Sequence, residues 1–214
     1  MEAALGGPAF VGVDVGTGSA RAGVFGLTGQ LLGSATHEIQ MRTPAPEHFE
    51  QSSEDIWRAC CRAVREAVVV AGAPDILGIA FDATCSLVVR GEGGQPVPVG
   101  MDAPDDPLAV TSPPELVFDT IVWCDHRATA EAEAINATGH RLLQNVGGCV
   151  SPEMEMPKLV WLKKHRPCTY AGAGHFFDLA DYLTHRAADG LGRRSMCTVV
   201  CKWNFDAAAR AWDE

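Results

Sequence analysis

A short segment of this sequence combines the residue types that bind phosphate. Between Asp14 and Arg21 the chain reads Asp-Val-Gly-Thr-Gly-Ser-Ala-Arg, directly after the apolar run 10–13. Glycines favour a tight hairpin, and the backbone N–H groups of such a turn can bind an anion. An aspartate at a strand end beside an exposed arginine suits a metal–phosphate site. The candidate residues of this site are Asp14, Gly16, Thr17, Gly18, Ser19 and Arg21.

The same residues also allow simpler interpretations. Gly16 and Gly18 fit an ordinary hairpin turn as well as they fit a ligand site. Asp14 and Arg21 can form a plain salt bridge with no ligand involved. The sequence alone leaves these interpretations open.

Two further polar clusters each follow a strand-like run. Residues 82–86 read Asp-Ala-Thr-Cys-Ser, and residues 125–127 read Asp-His-Arg. Ligands of open α/β sheets bind outside the carboxyl ends of the strands, so the three clusters are expected to line one pocket. The alternatives are a helix or turn cap for Asp82 and a surface ion pair for Asp125 and His126.

The hydrophobic pattern predicts the elements that must position these clusters. Strands at 10–14, 20–27 and 31–39 form an antiparallel meander. A helix after Ser52 and Ser53 and a strand at 75–82 add a parallel crossover. The expected fold is therefore α/β, with a mixed sheet flanked by helices. The other expected elements are loops at 42–51 and 91–114, strands at 87–90 and 120–123, and helices at 128–136, 152–164 and 179–188.

Composition and charge exclude several classes of protein. The chain has 214 residues, of which 47% are hydrophobic, enough to bury a core. Its net charge of −10 disfavours binding to nucleic acid and to anionic membranes. We find no leader and no apolar run near the roughly 20 residues of a membrane span, so we expect a cytoplasmic protein. Residues 1–8 are expected to be a flexible N-terminus, and residues 9–214 one domain.

The eight cysteines are expected to be reduced. They are dilute in a chain of this length, which is not typical of a disulfide-stabilised scaffold. Cys197 and Cys201 are four residues apart, but no second pair or histidine cluster follows them to complete a zinc site.

Longer motifs resemble the FGGY carbohydrate kinases, which have the ribonuclease H-like fold of actin and the sugar kinases. The segment 14–21 is similar to the first phosphate hairpin of that family, D-x-G-T-x-x-x-R. The resemblance extends from about Val11 to Trp212. The other similar segments are Glu50-Gln51, Asp55-Ile56-Trp57, Gly147-Gly148, Ser151-Pro152-Glu153-Met154, Pro157 to Leu162 and Phe176 to Leu183.

Within that family, three segments resemble the ribulokinase branch: 81–89, 123–128 and 200–203. This resemblance implies ATP-dependent transfer of a phosphoryl group to an open-chain pentulose, from D-ribulose to D-ribulose 5-phosphate, with Mg²⁺ bridging the phosphates. Glycerol kinases would have Arg-Glu at Ala83-Thr84, which disfavours glycerol. Lys202 would contact the sugar, although by its position alone it would pass for a strand-edge lysine.

The resemblance also implies a role for each candidate residue. The hairpin would hold the phosphates of ATP, Arg21 would offset charge in the transition state, and Asp14 would serve Mg²⁺. The residues implied to bind the sugar are Asp82, Ala83, Thr84, Asp125, His126 and Lys202.

The chain departs from the family pattern because it ends at Glu214. The second domain of the family, which supplies most of the adenosine site and the catalytic base, is expected to be absent, so we assign no base. The chain alone is expected to be inactive and to expose an apolar face, favouring self-association into a homodimer. The segment 91–114 looks longer than the ribulokinase pattern needs.

There are two alternatives to the kinase interpretation. One is a non-catalytic domain that binds a partner such as a full-length kinase. The other is an actin-like ATPase, which would not explain the sugar motifs.

Overall fold

The computed structural model describes residues 7–190 and 192–212. The strands are β1 (Pro8–Val15), β2 (Ser19–Gly26), β3 (Leu31–Glu38), β4 (Met41–Ala45), β5 (His48–Gln51), β6 (Asp75–Ala83), β7 (Leu87–Arg90), β8 (Thr120–Ile121), β9 (His175–Asp178), β10 (Phe205–Asp206) and β11 (Ala211–Trp212). The helices are α1 (Ser53–Val70), α2 (Thr129–Ala137), α3 (Glu155–His165), α4 (Pro167–Gly172), α5 (Leu179–Ala187) and α6 (Met196–Lys202). Short 3-10 helices span Pro107–Ala109, Pro114–Leu116 and Arg141–Val146.

These elements form two compact units that alternate along the sequence. We call the first the hairpin unit; it comprises the described residues of 1–41 and 54–84. We call the second the helical unit; it comprises those of 42–53 and 85–214. Of the N-terminus expected to be flexible, residues 1–6 lie outside the described residues, and β1 already begins at Pro8.

A mixed four-stranded sheet forms the hairpin unit. The strand order is β3-β2-β1-β6, with β1, β2 and β3 antiparallel and β6 parallel to β1. The predicted meander and parallel crossover are therefore confirmed. The strands alternate small buried residues with more exposed ones, as expected for a sheet with one covered face.

Small side chains bring the sheet and α1 of the hairpin unit close together. A Cβ atom on Gly33 of β3 would lie 2.6 Å from the carbonyl oxygen of Ala67 in α1. Trp57 of α1 also packs against Phe81 of β6, with ring centroids 6.4 Å apart. The buried hydrophobic residues of the sheet and α1 are Ala9, Val11, Val13, Val15, Ala20, Ala22, Val24, Ile56, Ala59, Cys60, Ala63 and Ala67.

The helical unit contains a five-stranded sheet in the order β4-β5-β8-β7-β9. Its core includes an aromatic side chain, Trp161 of α3, which packs together with Leu162 and with residues of β7 and β8. The predicted helices at 128–136, 152–164 and 179–188 are found as α2, α3 and α5, with boundaries that differ by at most three residues.

The loop expected at 42–51 is wrong, because this segment contributes β4 and β5. Two prolines, Pro44 and Pro46, favour a loop in the sequence. Since β4 is an edge strand, the missing N–H of Pro44 removes no ladder hydrogen bond in the interior of the sheet. The elements β9, β10, β11, α4 and α6 were not predicted from the sequence.

Candidate functional site

The hairpin between β1 and β2 is closed by one backbone hydrogen bond. The N–H of Gly16 donates to the carbonyl oxygen of Ser19 at 3.0 Å. Asp14 and Arg21 are directly opposite each other in the antiparallel register. Their side chains form a salt bridge, with Nη2 of Arg21 2.7 Å from Oδ2 of Asp14, and are 50% and 56% exposed for Arg21 and Asp14. Half of each charged group is therefore open to solvent or to a ligand.

Gly16 is needed for space rather than for backbone conformation. Neither Gly16 nor Gly18 is among the described residues with positive φ. A Cβ atom on Gly16 would lie 2.9 Å from Nη2 of Arg21, closer than real contacts allow, whereas a Cβ on Gly18 would meet open space. Gly16 thus lets the guanidinium lie over the turn.

Asp82 joins this pair on the neighbouring strand. Asp14 and Asp82 are partners in the parallel register of β1 and β6. Residues in register on adjacent strands share one face of a sheet, so Arg21, Asp14 and Asp82 form a row across β2, β1 and β6. One oxygen of Asp82 accepts from the N–H of Ala83 at 3.0 Å. Two of the three predicted clusters therefore lie side by side.

The row has the chemistry to hold a hydrated divalent cation with phosphate. Asp14 and Asp82 present two exposed carboxylates at neighbouring strand ends. Mg²⁺ prefers oxygen ligands and is usually bound by one or two carboxylates, water and phosphate oxygens. The donor set of the row fits that requirement. In the described part of the chain, no group of three or more His, Cys, Asp or Glu side chains could hold a metal without such further ligands.

Thr84 follows directly after the last residue of β6. Its N–H donates to the carbonyl oxygen of Val15 at 3.0 Å. Its hydroxyl oxygen is buried and has no hydrogen-bond partner among the described residues. Because buried hydroxyl groups are rarely left unpaired, this oxygen is available to water or to a ligand.

The third cluster lies in the helical unit and has a different character. Asp125 is fully buried, and its carboxylate accepts from the backbone N–H groups of Phe49 (2.6 Å) and Arg127 (3.0 Å). The guanidinium of Arg127 donates twice more to it, at 2.9 and 2.8 Å. The alternative of a surface ion pair is therefore wrong for Asp125. Its carboxylate instead holds its own loop in place through these four hydrogen bonds.

His126 is the accessible member of that cluster. Its side chain is partly exposed and lies between two carboxylates, 3.1 Å from Glu153 and 3.5 Å from Glu47. His126 therefore has the ion-pair environment that was the alternative to a ligand-binding role. Both ring nitrogens thus face a carboxylate, so a ligand that accepts from His126 would have to replace one of them.

Lys202 is the last residue of α6 and not a strand-edge residue. It is partly buried and lines a cavity of about 330 Å³ whose wall is mostly apolar. Met154, Met156 and Trp203 contribute to the same wall. Lys202 is thus a cation on an apolar surface, where its charge is weakly screened.

Comparison with known proteins assigns the chain to a family. The profile described as "FGGY family of carbohydrate kinases, N-terminal domain" matches residues 9–91 and 107–214. The chain belongs to the FGGY family of carbohydrate kinases. The resemblance inferred from the motifs is confirmed.

Relatives and solved structures agree with this assignment. The chain is 44% identical over 206 residues to the human FGGY carbohydrate kinase domain-containing protein, covering 96% of this chain and 35% of that protein. It is 42% identical to D-ribulokinase YDR109C of Saccharomyces cerevisiae, covering 92% of this chain and 26% of that protein. The structure of Plasmodium falciparum glycerol kinase with ADP matches with a TM-score of 0.74 at 14% identity, covering 98% of this chain and 40% of that one. This likeness confirms the sugar-kinase, ribonuclease H-like fold, and the chain spans about a third of the length of these relatives.

The FGGY profile leaves out residues 92–106, within the loop that looked too long in the sequence. In the structure this stretch is irregular, and it is held to the helical unit by Arg166, which donates to the carbonyl oxygens of Ala103 (2.7 Å) and Pro104 (2.6 Å). Asp105 in turn accepts from the N–H of Thr169 at 3.0 Å. The insertion is therefore anchored at one end by α4 and the residue before it.

Sequence reasoning missed the structural role of two buried arginines, Arg90 and Arg127. Arg127 also donates to Glu50 at 2.9 Å, and both side chains are fully buried. Arg90 similarly donates to Asp119 at 2.9 Å, and Asp119 accepts from the backbone N–H of Ser53. The available signal was a charged residue inside or beside an apolar strand, as at Arg90 and Glu50.

The remaining predictions concern cysteines and the membrane. All eight cysteines are free thiols, and Cys149, Cys168, Cys197 and Cys201 are exposed. Burial raises the pKa of Cys60 to about 12. None of the helices in the described ranges is long and apolar enough to span a bilayer.

Proposed function

We propose that this chain is the sugar-binding N-terminal part of an ATP-dependent pentulose kinase that converts D-ribulose into D-ribulose 5-phosphate. The observation that carries the proposal is the exposed row of Arg21, Asp14 and Asp82, at the end of a glycine hairpin. The printed name of the yeast relative, D-ribulokinase, supports the choice of sugar. A cytoplasmic location is part of the proposal, because eight free thiols suit a reducing compartment.

The hairpin would bind the phosphate end of ATP. Phosphoryl transfer depends mainly on positioning and charge neutralisation. Bound Mg²⁺ and ATP would supply the phosphoryl group and neutralise part of its charge. Thr17, Gly18 and Ser19 would present backbone N–H groups and hydroxyls to the phosphates, and Arg21 would offset the charge that develops in the transition state. Gly16, whose own N–H closes the hairpin, would leave room for the Arg21 guanidinium. The Asp14 carboxylate, which contacts Arg21 in the structure, would then also contact the metal ion or a water molecule bound to it.

Polar side chains and backbone groups would hold the sugar. Asp82, the backbone at Ala83 and the unpaired hydroxyl of Thr84 would serve the hydroxyl groups of an open-chain polyol. His126 and Lys202 would contribute further donors. Asp125 would take part by fixing the loop that carries His126, because its own oxygens are occupied.

The catalytic base and most of the adenosine site are proposed to lie in the part of the relatives that this chain does not cover. The 214 residues alone would then bind sugar weakly and show no turnover, since a cleft with one wall excludes little water.

A coupled kinase assay tests this proposal. The chain is joined to the C-terminal two thirds of the human relative, and ADP release is measured with D-ribulose, L-ribulose, D-xylulose and glycerol. D-ribulose is expected to be the preferred substrate. Asp14→Ala should abolish turnover, whereas Asp75→Ala, an exposed acid at the far end of β6, should not. A folded fusion that phosphorylates glycerol and ignores D-ribulose would disprove the substrate assignment.

A non-catalytic binding domain is the second candidate, favoured by one observation. The open face of the hairpin-unit sheet exposes Phe10 and Phe25, which are partners in register on β1 and β2. Such a face can bind a second copy of the chain or a full-length kinase. Sedimentation of the chain with and without Phe10→Ser measures self-association, and a monomer at all concentrations would argue against the homodimer.

A further inference from the structure

The turn between β4 and β5 carries a side chain that its backbone does not favour. Pro46 and Glu47 are the two residues that connect these strands. Glu47 has a φ of 63°, in the left-handed region. A turn in which proline precedes a residue of positive φ usually has glycine or asparagine at that second position. Strained backbone persists where other interactions hold it, and those of Glu47 are made with a second loop.

Glu47 contacts His126 with both its backbone and its side chain. The backbone N–H of His126 donates to the carbonyl oxygen of Glu47 at 3.0 Å. Oε2 of Glu47 is 3.5 Å from Nδ1 of the ring. The N–H of Phe49 donates to the carboxylate of Asp125 at 2.6 Å, and its carbonyl oxygen accepts from the N–H of Val122 at 3.0 Å. Backbone hydrogen bonds on both sides therefore fix Glu47 relative to His126.

A second carboxylate holds the other side of the ring. Oε1 of Glu153 is 3.1 Å from Nε2 of His126, which is a hydrogen-bond distance. The N–H of Glu153 donates to Oγ of Ser151 at 3.2 Å and so orders the turn that carries it. The side chain of Glu153 is 35% exposed, whereas that of Glu47 is 66% exposed. The contact with Glu47 is therefore the longer of the two and the more open to a ligand.

A hydroxyl group has the chemistry to insert between Nδ1 of His126 and the carboxylate of Glu47. The 3.5 Å contact between them is longer than an ordinary N–H···O hydrogen bond. A hydroxyl group can accept from the ring N–H and donate to the carboxylate at the same time. An anionic group would face two carboxylates here, so a neutral polyol fits better than a phosphorylated sugar.

We propose that Glu47 is a further sugar-binding residue, and that a hydroxyl group of the open-chain sugar inserts between its carboxylate and Nδ1 of His126. Glu153 keeps the ring in place while the exposed side chain of Glu47 turns outward to admit the hydroxyl. This inference rests on the proposed function, which places His126 at the sugar. A hydrogen bond from a hydroxyl to a carboxylate is stronger than one between neutral groups, which gives a reason for glutamate in a turn that suits glycine.

Removal of the Glu47 charge tests its role in binding. In the kinase fusion, Glu47→Gln should raise KM for D-ribulose by about tenfold and change kcat little. Glu66→Gln is the matched control, because Oε2 of Glu66 is 2.8 Å from Nε2 of His37 in an exposed pair of the hairpin unit. This control should leave KM within a factor of about two. A KM for Glu47→Gln equal to that of the control would overturn the proposal.

A glycine variant separates the side chain of Glu47 from its backbone. Glu47→Gly removes the carboxylate and relieves the positive φ, so it should raise the urea midpoint of the chain by roughly 0.3 M and still weaken sugar binding about tenfold. Ala73→Gly is the backbone control, because Ala73 has a φ of 51°. It should raise the midpoint similarly and leave KM unchanged. A loss of stability in Glu47→Gly would assign the carboxylate to the fold and overturn the proposal.

Deoxy sugars identify the inserted hydroxyl group. We compare 1-deoxy-, 3-deoxy- and 4-deoxy-D-ribulose in the unsubstituted and Glu47→Gln fusions. One of them should be used about tenfold less efficiently by the unsubstituted fusion and show no further loss with Glu47→Gln, because the bridging hydroxyl is already missing. If Glu47→Gln weakens every analogue as much as D-ribulose, no hydroxyl contacts Glu47 and the proposal fails.

The same assay distinguishes this inference from the proposed function. An unsubstituted fusion that does not phosphorylate D-ribulose would refute the proposed function, and the role of Glu47 with it. Normal turnover of D-ribulose that is insensitive to Glu47→Gln would refute the role of Glu47 alone.

Discussion

Two aspartate–arginine pairs that look alike in the sequence have opposite environments in the structure. Asp14 and Arg21 of the hairpin unit are about half exposed and form a single salt bridge. Asp125 and Arg127 of the helical unit have fully buried side chains, and each makes several further hydrogen bonds. An exposed pair contributes little stability and is free to change partners, whereas a buried pair cannot lose one member without leaving a charge uncompensated. The first pair is suited to a ligand and the second to support.

The largest expected effect is a loss of folding stability when the buried pair of Asp125 and Arg127 is broken. Arg127→Ala should lower the free energy of unfolding by about 3–5 kcal/mol, because Asp125 and Glu50 would each lose a buried partner. Urea unfolding followed by circular dichroism measures the change. Arg21→Ala is the matched substitution at the exposed pair and should cost less than about 1 kcal/mol. Equal losses for the two variants would break the comparison.

The exposed pair of Asp14 and Arg21 should affect the rate of turnover rather than stability. Arg21→Ala in the kinase fusion is expected to lower kcat by about 10²–10³-fold, the usual loss when a group that stabilises transition-state charge is removed. Arg62→Ala, at an exposed position on α1, provides the control. Turnover of the Arg21 variant within a factor of about two of the control would remove Arg21 from the mechanism.

A pH dependence of stability should arise from the helical unit. The pKa of Glu155 is raised to about 8 from its ordinary 4.5, so the folded chain binds this proton more tightly than the unfolded chain does. The contribution of Glu155 to stability should therefore be full below about pH 4.5 and decline as the pH rises to about 8. Unfolding free energies at several pH values should show a flatter profile for Glu155→Gln than for Glu133→Gln. Identical profiles would mean that Glu155 does not titrate in this range.

The smallest expected effect concerns the space under Arg21. In Gly16→Ala the new Cβ would displace only the flexible end of Arg21, so stability should fall by less than about 1 kcal/mol. The displaced guanidinium should raise KM for ATP in the fusion several-fold. Gly7→Ala, where a Cβ would meet open space, is the control. An unchanged KM would indicate that Arg21 reaches the nucleotide from either position.

Much of the hairpin unit could be predicted from the sequence, because its signals are local. The alternation of small apolar residues predicts β1, β2 and the parallel β6, and the glycines predict the turn between β1 and β2. The register that places Asp82 beside Asp14 follows from the crossover, so two of the three polar clusters were correctly expected to adjoin.

The helical unit was harder to predict, because its key features join distant parts of the chain. β4 is a strand only because it lies at the edge of a sheet that tolerates Pro44. Lys202 lies on a short helix whose residues carry no clear periodicity. The buried Glu155 interacts with Asp178, and both interact with Cys85, which lies 70 positions before Glu155, so no short motif marks this group.

The sequence by itself determined the family, the order of the strands around the glycine hairpin and the residue types placed there, since these depend on neighbours within a few residues. The tertiary structure alone decided which charges are buried. The burial of Asp125, of Arg127 and of Glu155 is set by elements far away along the chain, and burial determines whether a charged group is free to bind a ligand or is committed to holding the fold.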